Sequence, residues 1–132
     1  TVPTKIPTFE QGTWTPQLAC VSETGPTYTL ISNKSNYFRI DDLVYVNLYI
    51  HVKITDIGEG NARIEGLPFE VKSGTGRHAL AVSLNGNFDS ETVVIANEGT
   101  SFLYFTSKLG EYYQWSTGDF FISANGCYLR ES

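Results

Sequence analysis

The sequence predicts an all-β chain, and three observations carry that expectation. From Leu43 to Ile54 the pattern alternates: Val44, Val46, Leu48, Ile50, Val52 and Ile54 share one face, while Tyr45, Asn47, Tyr49, His51 and Lys53 share the other. Elsewhere no stretch holds a 3.6-residue apolar period without a Gly or Pro breaking it. The residue supply agrees, because 8 Tyr, 8 Phe, 2 Trp and 12 Gly suit strands and turns better than helices.

Taken in order, the expected strands are Thr13 to Val21, Thr27 to Ser32, Tyr37 to Ile40, Leu43 to Ile54, Asn61 to Glu65, Ala79 to Leu84, Thr92 to Ala96, Phe102 to Thr106, Tyr112 to Ser116, Phe120 to Ala124 and Cys127 to Arg130. The separators carry turn chemistry, as in Thr24-Gly25-Pro26, Asp41-Asp42, Gly58-Glu59-Gly60, Asn85-Gly86 and Thr117-Gly118. About ten short strands at regular spacing, with no repeat of blade length, predict an antiparallel β-sandwich of jelly-roll type.

A length of 132 residues fits one domain, read here as residues 9–132. Residues 1–8, opening with Thr1 to Pro7, read as an extended lead-in from a preceding domain of the same chain. Fourteen acidic against 9 basic residues give a net charge of −5, and no Lys/Arg cluster stands ready to neutralise a row of phosphates. Nucleic acid is not an expected partner. The most apolar run is interrupted by Asn47, His51 and Lys53, so no membrane insertion is expected either. Cys20 and Cys127 allow one disulfide or two free thiols.

Four segments, taken in order, resemble the C-terminal domain of bacteriophage and prophage tail fibres and tailspikes. Phe9-Glu10-Gln11-Gly12-Thr13-Trp14-Thr15-Pro16 is similar to that family's FExGTWTP opening, and Asn36 to Val46 to its GxYxRIGNLVYV strand pair. Ile64-Glu65-Gly66-Leu67-Pro68-Phe69 is similar to its IxGLPF corner, and Phe121 to Tyr128 to its closing IxxSGxY strand. Asn36, Asp41-Asp42 and Cys127 depart from the pattern. The resemblance implies a homotrimeric fibre tip carried on the virion and assembled in the cytoplasm of the host bacterium. Tyr45, Tyr49 and His51, on the outer face of the long strand, are then the expected trimer interface, although such an aromatic, mixed-polarity face also suits a glycan platform. Trp14 reads as packing a corner, Phe69 as a core plug, and Gly12 and Gly66 as positions of special backbone geometry.

The densest aromatic group, Tyr112-Tyr113-Gln114-Trp115 with Asp119 nearby, is the expected carbohydrate site, since sugar C–H faces stack on aromatic planes while Gln and Asp take hydroxyls; a trimer contact, or core burial of two of the four by strand alternation, is the alternative. No residue is assigned a catalytic role. The nearest carboxylate pairs, Asp41 with Asp42, Asp89 with Glu91 and Glu111 with Asp119, read as solvated turn and loop groups. Neither a G-x-S-x-G elbow nor a His with a partner at telling spacing is present. No metal or cofactor is expected: Asn85 to Glu91 starts like a calcium loop, but Ser90 occupies the sharp-turn Gly position and Ala96 that of the bidentate Glu.

The reading is thus a non-enzymatic, homotrimeric domain that binds a bacterial surface glycan. Three copies at −5 each carry −15, which favours neutral or zwitterionic glycans. A capping domain without a ligand is the alternative. A polysaccharide-cleaving enzyme and a secreted lectin stand behind it.

Overall fold

The computed structural model describes residues 6–22, 24–85, 92–107 and 111–131. Ten strands run through them: β1 (Phe9–Thr13), β2 (Gln17–Cys20), β3 (Thr27–Asn33), β4 (Asn36–Ile40), β5 (Leu43–Asp56), β6 (Ala62–Glu65), β7 (Arg77–Asn85), β8 (Val93–Asn97), β9 (Phe102–Thr106) and β10 (Gly118–Leu129). All pairings are antiparallel, in the order β1-β4-β5-β10-β7-β8-β9-β6-β2, with β3 also on β5. The sheet curls into a half-barrel. Its first half is β1, β4, β5, β10 and β3, and its second half is β8, β9, β6 and β2. Strand β7 serves both, pairing with β10 through 81–85 and with β8 through 77–80.

The alternation of β5 dictates this arrangement. Val44, Val46, Leu48, Ile50, Val52 and Ile54 are at most 2% exposed and floor the core. Phe120, Ile122, Ala124 and Tyr128 extend the floor along β10, and Ile64, Leu103, Phe105, Val94 and Ala96 close over it from the second half. Non-directional apolar burial on the concave side is what holds the two halves together.

Several boundaries differ from expectation. The run from Thr13 to Val21 breaks at Trp14, where the chain crosses from one half to the other. Trp14 is 6% exposed, and its indole N–H is shared between the carbonyls of Asn36 at 3.2 Å and Asn47 at 3.3 Å. The Asn33 side chain donates to the Trp14 carbonyl at 3.0 Å, so the corner is bonded from both directions. Near it Gly66 has φ 96, and a Cβ there would sit 2.9 Å from the Thr15 carbonyl oxygen. Gly12 is required differently, by the Tyr37 ring at 3.0 Å from a would-be Cβ.

Phe120 to Ala124 and Cys127 to Leu129 prove to be parts of one strand, with Arg130 bridging to Val71 just beyond it. Asn125 and Gly126 stay in the ladder opposite Asn47 and Val46. Conversely, Tyr112 to Ser116 is not a strand. Tyr112 forms one bridge to Thr106, and the segment then leaves the ladder as Trp115 turns into the core. The turn between β4 and β5 is held by Asp41, whose φ is 50 and whose carboxylate accepts from the Thr8 N–H at 3.0 Å.

Candidate functional site

Because β5 is the hub of the first half, its register carries the outer face across four strands in rows. The first row is Phe9, Ile40, Leu43 and Leu129, all apolar and exposed at 59, 45, 48 and 39%. The second is Gln11, Phe38, Tyr45 and Cys127, in which Phe38 stacks on Tyr45 at 5.0 Å and reaches back to Phe9 at 6.2 Å. Neither row contains a charge. A third row, Thr13, Asn36, Asn47 and Asn125, is polar and uncharged. Beyond it comes Tyr49 with Lys34 at 6.0 Å from its ring, then His51, and finally Lys53 opposite Asp119.

The expected interface residues Tyr45, Tyr49 and His51 do share this face. His51 is the least available of them: its ring stacks on Phe121 at 4.1 Å and its Nε2 pairs with the Asp119 carboxylate. Sequence reading missed Phe9, Phe38, Ile40, Leu43, Phe121 and Leu129. The signal was present, because the period of two continues from β5 into its neighbours.

The expected carbohydrate cluster is distributed otherwise. Trp115 is 2% exposed, donates its indole N–H to the Ala19 carbonyl at 2.8 Å and meets Phe105 edge-on, so it offers no free face. Tyr113 packs against the core, whereas Gln114 is exposed. Asp119 belongs to the outer face of the first half, beside His51. Tyr112 is 42% exposed and abuts Tyr104 at 6.0 Å. Tyr104 in turn abuts Phe102 at 6.4 Å. The Arg63 guanidinium lies 4.2 Å above the Phe102 ring and 2.6 Å from Glu65. Tyr112 therefore ends an aromatic run on the second half. The only sequence signal for it is the short alternation within 102–106 and 61–65.

The inner edge of the first half holds a denser polar group. Tyr37 donates to Glu10 at 2.7 Å and Arg39 pairs with it at 3.2 Å, so these bonds hold the Glu10 carboxyl below the usual carboxylate range, the tyrosine most of all. Arg39 and Arg130 flank Phe69 at 5.5 and 4.8 Å, and Asp42 lies 3.8 Å from Arg130. Every charge here has a counter-charge. An open groove of about 540 Å³ borders this group, lined by Gln11, Gly12, Thr13, Asn36, Tyr37 and Phe38.

The carboxylate pairs fall as follows. Asp41 and Asp42 are engaged in the turn, and Asp119 is bound to His51. Asp89, Glu91 and the 86–91 segment lie outside the described residues, as do most of the 1–8 lead-in positions. His78 contacts the Thr75 hydroxyl at 3.1 Å. Cys20 and Cys127 are both free: Cys20 is buried, with its thiol pushed up by desolvation, and Cys127 is exposed in the second outer row. Among the described residues no three His, Cys, Asp or Glu side chains are grouped to hold a metal ion.

Neither protein-family models nor curated proteins match this chain.

The chain presents two outer faces of different chemistry. One is apolar and uncharged at its β4–β5 turn end, and the other is aromatic and hydrogen-bonding.

Proposed function

We propose that this chain is a non-enzymatic terminal domain of a phage tail fibre or tailspike, in which three copies associate through the outer face of the first half. The assembly then presents the domain, as part of the virion, to a bacterial surface carbohydrate. In this reading the two halves of the curled sheet act as the layers of a jelly-roll-like sandwich.

The observation that carries the proposal is the uncharged double row from Phe9 to Leu129 and from Gln11 to Cys127. Contiguous exposed apolar surface of this kind is rare on a monomer and marks association sites. The rows cross four strands and include a stacked Phe9, Phe38 and Tyr45 run, which suits packing against another copy. Sedimentation equilibrium at micromolar concentration tests this. The expected mass is three times 14.7 kDa, and a clean monomer overturns the assembly.

A second reading, a cap that binds no ligand, draws support from the burial of Trp115, which removes the centre of the expected glycan cluster. Adsorption to bacterial cells separates the two. A trimer that adsorbs to no strain favours the cap.

A further inference from the structure

We infer that the outer face of the second half carries a subsite for a neutral saccharide, with Tyr112 and Tyr104 as its stacking rings and the Arg63–Glu65 pair as its hydroxyl-recognising edge. This deepens the carbohydrate reading above and rests on it.

The rings come first. Tyr112, Tyr104 and Phe102 follow one another at 6.0 and 6.4 Å, each nearly perpendicular to the next at 76° and 85°. Arg63 lies over Phe102, so that ring serves as a support. Tyr112, 42% exposed, and the half-buried Tyr104 remain as apolar planes with hydroxyl tips.

The polar edge is held in place. Arg63 is fixed by the Phe102 ring on one side and by Glu65 at 2.6 Å on the other, with side chains 21 and 30% exposed. Its buried Nε finds no hydrogen-bond partner. The Arg130 Nε is in the same state, and a buried Nε does not itself reach a ligand on the surface, so the Arg63–Glu65 pair acts through its outer atoms. A guanidinium beside a carboxylate offers donors and acceptors together, which is what vicinal hydroxyls require. The pair is internally neutral, and the chain carries −5, so the complementary ligand is an uncharged sugar rather than a uronic acid.

The backbone argues against a peptide strand. Strand β9 is paired on both edges, by β8 and β6, and β6 is paired by β9 and β2. On the outer margin, the β2 backbone N–H of Leu18 meets the Tyr28 hydroxyl at 3.3 Å. With the ladder bonds of β6 and β9 used, the rings and ions they carry recognise through side chains. Unlike the uncharged rows of the first half, it sets a carboxylate and a guanidinium among its rings, which suits hydroxyls better than another copy's apolar surface.

The test is retention of the whole chain on an array of purified bacterial polysaccharides, with neutral O-antigens in one set and uronic-acid-bearing capsules in the other. Light scattering on the same samples reports assembly. The expected result is retention by at least one neutral polymer, reduced about tenfold by Tyr112→Ala and likewise by Glu65→Gln, with Tyr112→Phe retaining most of it. The oligomer mass should be unchanged in all three variants. Retention only by uronic acid polymers, by none, or equally by wild type and both loss variants would overturn the subsite. A fall in oligomer mass on Tyr112→Ala would also overturn it, by making this face a subunit contact. Trimer formation without retention leaves the assembly standing while the subsite fails, and a monomer that is retained does the reverse.

Discussion

Leu43 sits in the middle of the uncharged first row, and Leu43→Glu is the most direct perturbation of the proposed assembly. Full burial of a leucine side chain is worth about 1.5 to 3 kcal/mol. Leu43 is 48% exposed in the single chain, so roughly half of that, about 1 kcal/mol per copy, remains to be gained on association. Three copies lose about 3 kcal/mol, close to a hundredfold in the assembly constant. The glutamates also bring three like charges onto a strip that has none, a term that weakens with salt. Sedimentation equilibrium at low and high salt measures both parts. Gln17→Glu, on the second half, adds the same charge away from the strip and serves as control. An unchanged constant for Leu43→Glu, or equal weakening by the control, refutes the assignment of this face.

Four further outcomes follow from the packing. Trp115→Ala should cost about 3 to 5 kcal/mol in chemical denaturation, because a buried indole bonded to Ala19 is lost; a loss near zero would contradict its core placement. Gly126→Ala should cost about 1 to 3 kcal/mol, since the new Cβ would stand 2.5 Å from the Leu80 side chain and 3.4 Å from its Cα, and wild-type stability in that variant would refute the close approach. Burial pushes the Tyr128 phenol well above its ordinary 10.0, so its share of stability is present below that pH and lost as pH rises beyond it. Tyr128→Phe should lose about 1 kcal/mol of hydrogen bonding to the Phe69 carbonyl at neutral pH, and denaturation curves of variant and wild type should converge above pH 10. At the acid end the sign is opposite: Glu10 is held below 4.5, chiefly by Tyr37, so its contribution is present above that pH and fades on acidification. Tyr37→Phe should therefore differ from wild type at pH 7 and match it in acid, and a difference constant with pH would refute the coupling.

Much of the fold was legible because β5 is long and alternates without a fault, and one such strand fixes which face of its neighbours is core. Boundaries were legible only where turn residues made turns. Asn125-Gly126 looked like a break, yet Gly126 stays in the ladder because Leu80 packs into the space its missing side chain leaves. The residues of the proposed saccharide subsite were harder. Tyr112 to Trp115 reads as one exposed aromatic group only while the chain is a line. Burial is decided by the half of the sheet lying opposite, and β2 supplies the carbonyl that draws Trp115 inward. Tyr104 and Phe102 were overlooked because a five-residue strand shows too few alternations to separate its two faces.

The outer rows of the first half are ordered along β5: hydrocarbon at Leu43, amides at Asn47, ions at Lys53. Such a gradient is a vector, and a vector distinguishes head from tail. Copies related by a cyclic axis parallel to β5 would bring hydrocarbon to hydrocarbon and amide to amide. A twofold that reversed one copy would press the Leu43 row onto the Lys53 and Asp119 row and bury charge against carbon. An assembly on this face, as proposed, therefore has all its copies pointing the same way along its axis.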